Sequence, residues 1–144
     1  MKNIPDISFL FSVPIQIKMC DLDPFVHVNN GVQCNYFDYG RAQYFEHVLA
    51  TPIDWTVMDL VLVNIQMDFL SPVKIHDKII CETAIYEIGN KSIKMVQQLR
   101  CSQTNIIKTR CYSVLVGFDR KTEQSILIND HYRQCFSQFE SLSL

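Results

Sequence analysis

One long segment with helical spacing of apolar residues, followed by segments with strand spacing, limits what this chain can fold into. Between residues 31 and 49, apolar and aromatic side chains recur at intervals of three and four. A lone amphipathic helix must bury its apolar face against another layer of structure. The sequence therefore predicts an α+β fold, in which an antiparallel sheet wraps around one long central helix.

The residues after Pro52 change to a period of two. Apolar side chains at 61, 63, 65, 67 and 69 share one face, and polar ones at 64, 66 and 68 share the other, which is typical of a half-buried strand. We predict further strands at 15–20, 79–88, 93–101 and 106–119 and a short closing helix at 128–139. The dipeptide Gly89-Asn90 favours a hairpin turn, so we expect an antiparallel meander. Without any linker or repeat, residues 1–144 are predicted to form one domain.

The start and the middle of the helix carry two further signals. Asn30 is a favourable N-cap, and Gln33 three residues later resembles the partner in a capping box. Gly40 in mid-helix costs roughly 1 kcal/mol relative to alanine. We therefore expect a close approach of the helix to another element at Gly40.

A dense polar cluster, residues 21–30, lies between an apolar run and the helix. It contains two carboxylates, an imidazole and two amides, which are costly to place near a core unless they are hydrogen-bonded. On spacing alone, two interpretations stay open: a polar loop that caps the helix, and a functional site.

Composition excludes several classes of function. The net charge of −2 and the pI of about 6.0 provide no basic field for nucleic acid or an anionic membrane. No apolar run approaches the ~20 residues that span a bilayer. Six cysteines without a Cys-x-x-Cys pair, and no secretory pattern, predict reduced thiols in the cytoplasm. The histidines lack the spacing of metal ligands, so no metal is expected.

The polar cluster and the helix resemble the signature of hotdog-fold acyl-CoA thioesterases of the 4-hydroxybenzoyl-CoA thioesterase family. The matching residues, all in register, are Asp21, Asp23, His27-Val28-Asn29-Asn30, Asp38 and Arg41. Similarity continues through residues 67–73 and the hairpin at 87–92, and so spans roughly residues 13–120. Two departures are Val26, where the family usually has glycine, and Gln33, where an aromatic residue is common.

The resemblance implies hydrolysis of an acyl-CoA thioester. Asp23 is the expected general base or nucleophile, and the Asn30 amide at the helix start is the expected donor to the thioester oxygen. His27 is expected to orient water or Asp23, although a purely structural role is an equal alternative. For Asp21, structural service is the better prediction. The structural alternative for Asp23 is that it only satisfies loop amides.

The resemblance also implies how the substrate is held. Gly31 and Asp38 are the predicted substrate-binding residues of the helix, and Lys91 and Ser92 those of the hairpin. No separate cofactor is expected, because CoA is part of the substrate. The family forms homodimers or homotetramers through sheet edges. Two other functions stay open: an acyl-ACP thioesterase and a non-catalytic acyl-CoA-binding domain.

Overall fold

A computed structural model describes residues 7–143, which form a six-stranded antiparallel sheet and two α-helices. In chain order the elements are β1 (Phe11–Ile15), α1 (Asn30–Leu49), β2 (Leu60–Phe69), β3 (Ile79–Ile88), β4 (Ser92–Cys101), β5 (Ile107–Asp119), β6 (Gln124–Ile126) and α2 (Asp130–Glu140). The strand order is β1-β3-β4-β5-β2, and β6 pairs with β5. The predicted hotdog fold, a sheet wrapped on one long helix, is confirmed.

Two details of the predicted topology are wrong. Strands β3, β4 and β5 form a meander, but β2 pairs with β5 at the far edge and not with β3. The first strand lies at Phe11–Ile15, upstream of the predicted 15–20. The chain leaves the sheet there because the Asp21 carboxylate accepts from the Lys18 N–H over 2.8 Å and forms a turn at Met19–Asp21.

Helix α1 buries an aromatic face against the sheet. Tyr36, Phe37, Tyr44 and Phe45 are all buried, and they divide between two apolar clusters along the helix. The helix packs mainly against β3, β1 and the closing helix α2, and to a lesser extent against β4. This packing leaves much of the helix-side face of β2 uncovered.

The predicted close approach at Gly40 is confirmed. A Cβ atom at this position would collide with the Cys81 sulfur and lie 3.2 Å from Nε2 of Gln97. The Gln97 amide itself donates to the Phe37 carbonyl over 2.9 Å. Only a residue without a side chain lets the helix lie this close to β3 and β4.

The exposed edge strand β2 departs from its predicted burial pattern. A register shift between Leu62 and Asn64 inserts one extra residue, so Val61 and Ile65 lie on opposite faces of the sheet. The helix-side face consists of Leu60, Leu62, Ile65, Met67 and Phe69. This face is more exposed than predicted, with Ile65 at 39% and Phe69 at 47% of full exposure.

Helix α2 closes the other end of the sheet, two residues later than predicted. One Glu140 carboxylate oxygen, Oε1, accepts from the Tyr44 hydroxyl (2.6 Å) and from the Ile85 N–H (3.1 Å). Burial raises the pKa of Glu140, although both hydrogen bonds lower it in part. This carboxyl group therefore joins α2, α1 and β3 at one atom.

The six cysteines are free thiols. None of the helices in residues 7–143 is long and apolar enough to cross a membrane.

Replacing Glu140 by glutamine should make the protein less sensitive to rising pH. A folded-state pKa above the ordinary 4.5 means that the stability contribution is complete below pH 4.5 and is lost as pH rises through the folded pKa. The amide oxygen can still accept from Tyr44 and Ile85, but it carries no charge. In urea unfolding from pH 4.5 to 8, the free energy of unfolding of Glu140→Gln should rise relative to that of the wild type as pH rises. A difference in the free energy of unfolding that stays constant with pH would contradict the raised pKa of Glu140.

Candidate active site

The predicted catalytic carboxylate lies in a tight loop between β1 and α1. A bridge between Leu22 and Val28 closes the loop, and the Asp23 N–H donates to the His27 carbonyl over 2.8 Å. Oδ1 of Asp23 accepts from the N–H groups of Phe25 (2.9 Å) and His27 (3.2 Å). Within the described part of the chain, Oδ2 has no hydrogen-bond partner. One carboxylate oxygen thus holds the loop, and the other is free for chemistry.

Val26 occupies the tip of this loop in a left-handed conformation, with φ of 62°. Its N–H donates to the Asp23 carbonyl over 2.9 Å, which makes the turn. Glycine adopts this conformation without strain, whereas other residues lose about 1–2 kcal/mol. The valine therefore keeps the tight turn under backbone strain.

The N-terminus of α1 presents unpaired backbone amides, among them that of Asn30. Asn29, and not Asn30 as predicted, is the N-cap: its Oδ1 accepts from the Gly31 N–H over 2.7 Å. The Asn30 N–H has no acceptor among residues 7–143. The Gln33 side chain is not part of a capping box, because it bonds elsewhere. The free Asn30 N–H carries the partial positive charge of the helix end and is suited to an oxyanion.

Asp23 and Asn30 line the same cavity, which has a volume of about 280 Å³. Its lining residues are Asp23, His27, Val28, Asn30, Gln33, Phe69, Leu70, Ser71, Pro72 and Val73. The loop is fixed against this wall, since the Val28 N–H donates to the Val73 carbonyl over 2.8 Å. The structure thus brings three predicted catalytic residues, Asp23, His27 and Asn30, to one cavity.

Asp21 serves the structure of the loop, as predicted. Its Oδ2 accepts from the Tyr36 hydroxyl over 2.5 Å as well as from Lys18, and its carbonyl accepts from the Asn29 N–H. Burial, together with the bond to Asp21, raises the pKa of Tyr36 well above its ordinary value. Asp21 thereby ties the loop to the first turns of α1.

His27 is half-buried and lines the cavity, but its ring makes no hydrogen bond to residues 7–143. Its main chain bridges to Lys74. The His27 backbone therefore holds the loop geometry, and its imidazole takes no part in the hydrogen bonds of the loop.

Gly31 and Asp38 do not line this cavity. The Gly31 N–H is already bound to Asn29. Asp38 lies eight residues beyond Asn30, about 12 Å along the helix axis, and pairs with Arg41 over 2.8 Å. Asp38 is exposed, so Asp23 is the carboxylate that the cavity contains.

Lys91 and Ser92 lie at the opposite end of the sheet from the cavity. Ser92 is in register with Val116 of β5, whereas Phe69 at the cavity is in register with Thr109. Seven residues of strand separate the two positions, which corresponds to about 24 Å. The Lys91 ammonium donates to the carbonyl and hydroxyl oxygens of Ser125. Within one chain, these residues do not reach the predicted catalytic group.

Gln33 and Thr109 were not predicted as a pair. Gln33 is only 3% exposed, and its Oε1 accepts from the Thr109 hydroxyl over 2.5 Å. Its Nε2 donates to the Val28 carbonyl over 3.3 Å. One signal for this pair was present in the sequence, an amide where an aromatic residue was expected.

The described residues provide neither a cysteine nucleophile at the cavity nor a metal site. Burial raises the pKa of the Cys81 and Cys111 thiols to about 12, which keeps them protonated. Residues 7–143 contain no group of three His, Cys, Asp or Glu side chains placed to hold a metal ion. The cavity thus combines one carboxylate residue, Asp23, with a residue whose helix-terminal N–H is unpaired, Asn30.

The sequence pattern of the thioesterase superfamily matches residues 25–108, more than half of the chain. This match agrees with the sheet, the helix and the cavity described above. The chain belongs to the thioesterase superfamily. The comparison with curated proteins gave no match.

Solved structures of thioesterases share the fold. A thioesterase from Thermus thermophilus, complexed with coenzyme A and zinc, has a TM-score of 0.81 at 23% identity over 94% of this chain and 98% of its own. A predicted thioesterase from Bacillus stearothermophilus has a TM-score of 0.82 at 19% identity, over 93% of this chain and 98% of its own. A 1,4-dihydroxy-2-naphthoyl-CoA thioesterase from Synechocystis has a TM-score of 0.78 at 13% identity, over 88% of this chain and 94% of its own. At such identities the likeness carries the fold alone.

Asn29 and Asn30 should respond differently to truncation. Asn29→Ala removes the cap and should lower the free energy of unfolding by about 1 kcal/mol. Asn30→Ala leaves that cap and the Asn30 backbone N–H in place, so it should change stability by less than half as much. Urea unfolding of the two variants measures the contrast. A larger loss for Asn30→Ala would place the cap at Asn30 instead.

Proposed function

We propose that this protein is an acyl-CoA thioesterase of the 4-hydroxybenzoyl-CoA thioesterase type. The observation that carries the proposal is that one cavity is lined by both Asn30, whose N–H is unpaired, and Asp23, whose Oδ2 is unpaired. Hydrolysis needs these two elements: a donor for the carbonyl oxygen and a carboxylate that attacks or activates water.

The reaction proceeds with the thioester oxygen accepting from the Asn30 N–H. Acting as a base, Asp23 takes a proton from water while the hydroxide adds to the carbonyl carbon. Acting as a nucleophile, Asp23 adds directly and forms an anhydride, which water then opens. In either route the carbon–sulfur bond breaks, the thiolate leaves and is protonated, and the free acid forms. His27 lines the cavity and orients the attacking water.

Coenzyme A is the carrier that we propose. The Thermus thermophilus structure contains coenzyme A, which supports this choice. An acyl carrier protein is the alternative carrier, and an acyl-CoA-binding domain without turnover is the alternative function. A thiol-release assay with matched CoA and carrier-protein thioesters separates the three. The free thiols fit a reducing compartment such as the cytoplasm.

A second copy of the chain completes the site in this proposal. The outer edge of β2 has no strand beside it among residues 7–143, and its apolar side chains include Val63 at 56% exposure. Such an edge favours antiparallel pairing with the same strand of another copy. Antiparallel pairing reverses the second sheet, so its Lys91–Ser92 hairpin comes to the cavity end of the first. A homodimer, alone or within a tetramer, thus supplies Lys91 for the CoA phosphates.

Asp23→Asn should reduce kcat by at least ~10²-fold with little change in substrate affinity, because it removes the reactive oxygen. The amide oxygen can still accept from Phe25 and His27, so the loop should keep its shape. Steady-state hydrolysis of an acyl-CoA panel measures the loss. Asp38→Asn is the matched control and should leave kcat within about twofold. Near-normal turnover by Asp23→Asn would refute the assignment.

Hetero-oligomers test whether Lys91 acts across the dimer. Lys91→Ala should raise KM roughly five- to tenfold through a lost charge-assisted bond, whereas Lys121→Ala at the same end of the sheet should not. Differently tagged Asp23→Asn and Lys91→Ala chains are then co-expressed and purified together. If the site is shared, one site per heterodimer keeps both wild-type residues and shows the wild-type KM. If both residues act within one chain, the KM stays raised.

A further inference from the structure

A buried amide forms part of the cavity wall beside the helix amide. Gln33 lines the cavity that contains Asp23 and Asn30, yet it is only 3% exposed. It stands three residues after Asn30, and residues at this spacing are neighbours on a helix surface, about 5–6 Å apart. A group bound at the Asn30 N–H therefore lies next to the Gln33 side chain.

The hydrogen-bonding capacity of Gln33 is only half used. A side-chain amide has two N–H donors and two acceptor positions. Within residues 7–143, Gln33 gives one N–H to the Val28 carbonyl and one acceptor position to the Thr109 hydroxyl. Both bonds fix the orientation of the amide, since Thr109 is 1% exposed and belongs to β5. One donor and one acceptor position are left over.

The wall of the cavity next to Gln33 is apolar, so it offers no partner for the unused donor and acceptor of the Gln33 amide. Val28 and Val73 are buried there, and Phe69 and Leu70 line the same space. A plain hydrocarbon chain against Gln33 would cover a polar group without bonding it, which is unfavourable. An oxygen substituent at that point would instead pair with the amide.

We propose that Gln33 selects acyl groups that carry a hydroxyl or keto oxygen on the third acyl carbon. This inference rests on the proposed thioesterase function, which places the carbonyl carbon at Asn30. The third carbon is two bonds from the carbonyl carbon, so its oxygen falls beside the residue one helical turn away. A hydroxyl uses both the free donor and the free acceptor of the amide, whereas a keto group uses the donor alone.

The test compares matched thioesters on the full-length protein. The substrates are butanoyl-CoA, the two enantiomers of 3-hydroxybutanoyl-CoA, and 3-oxobutanoyl-CoA. The wild type should favour at least one 3-oxygenated substrate over butanoyl-CoA by about tenfold in kcat/KM, as expected when a buried polar group becomes paired. Equal values for all four substrates would overturn the inference, and the three oxygenated thioesters separate the hydroxyl from the keto source.

Two variants separate recognition from folding. Gln33→Met keeps the length of the side chain and removes its polar atoms, so the ratio of kcat/KM between the 3-oxygenated thioesters and butanoyl-CoA should fall to about one. Thr109→Val removes one of the two bonds that orient the amide but leaves the amide in the cavity, so the preference should fall only in part. A preference that survives Gln33→Met, or is lost only in Thr109→Val, would contradict the assignment.

Failure of the proposed function gives a different result. If no thioester is hydrolysed, calorimetry with the thioether analogues S-butyl-CoA and S-(3-hydroxybutyl)-CoA measures the same discrimination by binding. Tighter binding of the hydroxylated analogue, lost in Gln33→Met, would support recognition by Gln33 and reject turnover. Equal binding of the two analogues would reject the recognition itself.

Discussion

The contact of α1 with the sheet at Gly40 fixes the position of everything else in the structure. The helix lies against Cys81 and Gln97 because Gly40 has no side chain to hold it away. The aromatic residues on both sides of Gly40 then fill the two apolar clusters. With its middle held so close, the first turn of the helix reaches β5, where Gln33 meets Thr109. The position of the Asn30 amide is a consequence of this packing.

The polar cluster before the helix is compatible with a core because most of its atoms are paired. Asp21 bonds to Tyr36 and Lys18, and Asn29 caps Gly31. These bonds offset the desolvation of the carboxylate and the amide. Oδ2 of Asp23, the Asn30 N–H and the His27 ring have no hydrogen-bond partner among residues 7–143, and all three residues line the cavity. The bonds that stabilise the loop therefore also hold Asp23 and Asn30 beside the cavity.

The exposed edge of β2 and the distance of the Lys91 hairpin from the cavity can be explained together. Strand β2 exposes apolar side chains on a sheet edge that residues 7–143 leave open, while Lys91 lies about 24 Å along the strands from the cavity. Pairing of two β2 strands would cover the exposed apolar edge, and it would bring Lys91 of one chain to the cavity of the other. The proposed dimer is thus argued from apolar exposure and from strand direction together.

Local sequence was enough to predict most of the elements. Helical and strand periods come from local alternation, so α1 and β3 were predicted within one residue. The motif also pointed to Asp23, His27 and Asn30, which the structure brings to one cavity. The features that depend on distant residues emerged only from the folded chain: the place of β2 beside β5, the bulge after Leu62, and the cap at Asn29. The pairing of Gln33 with Thr109 and the distance of Lys91 from the cavity also emerged only from the folded chain. Spacing along a chain does not encode distance across a folded sheet.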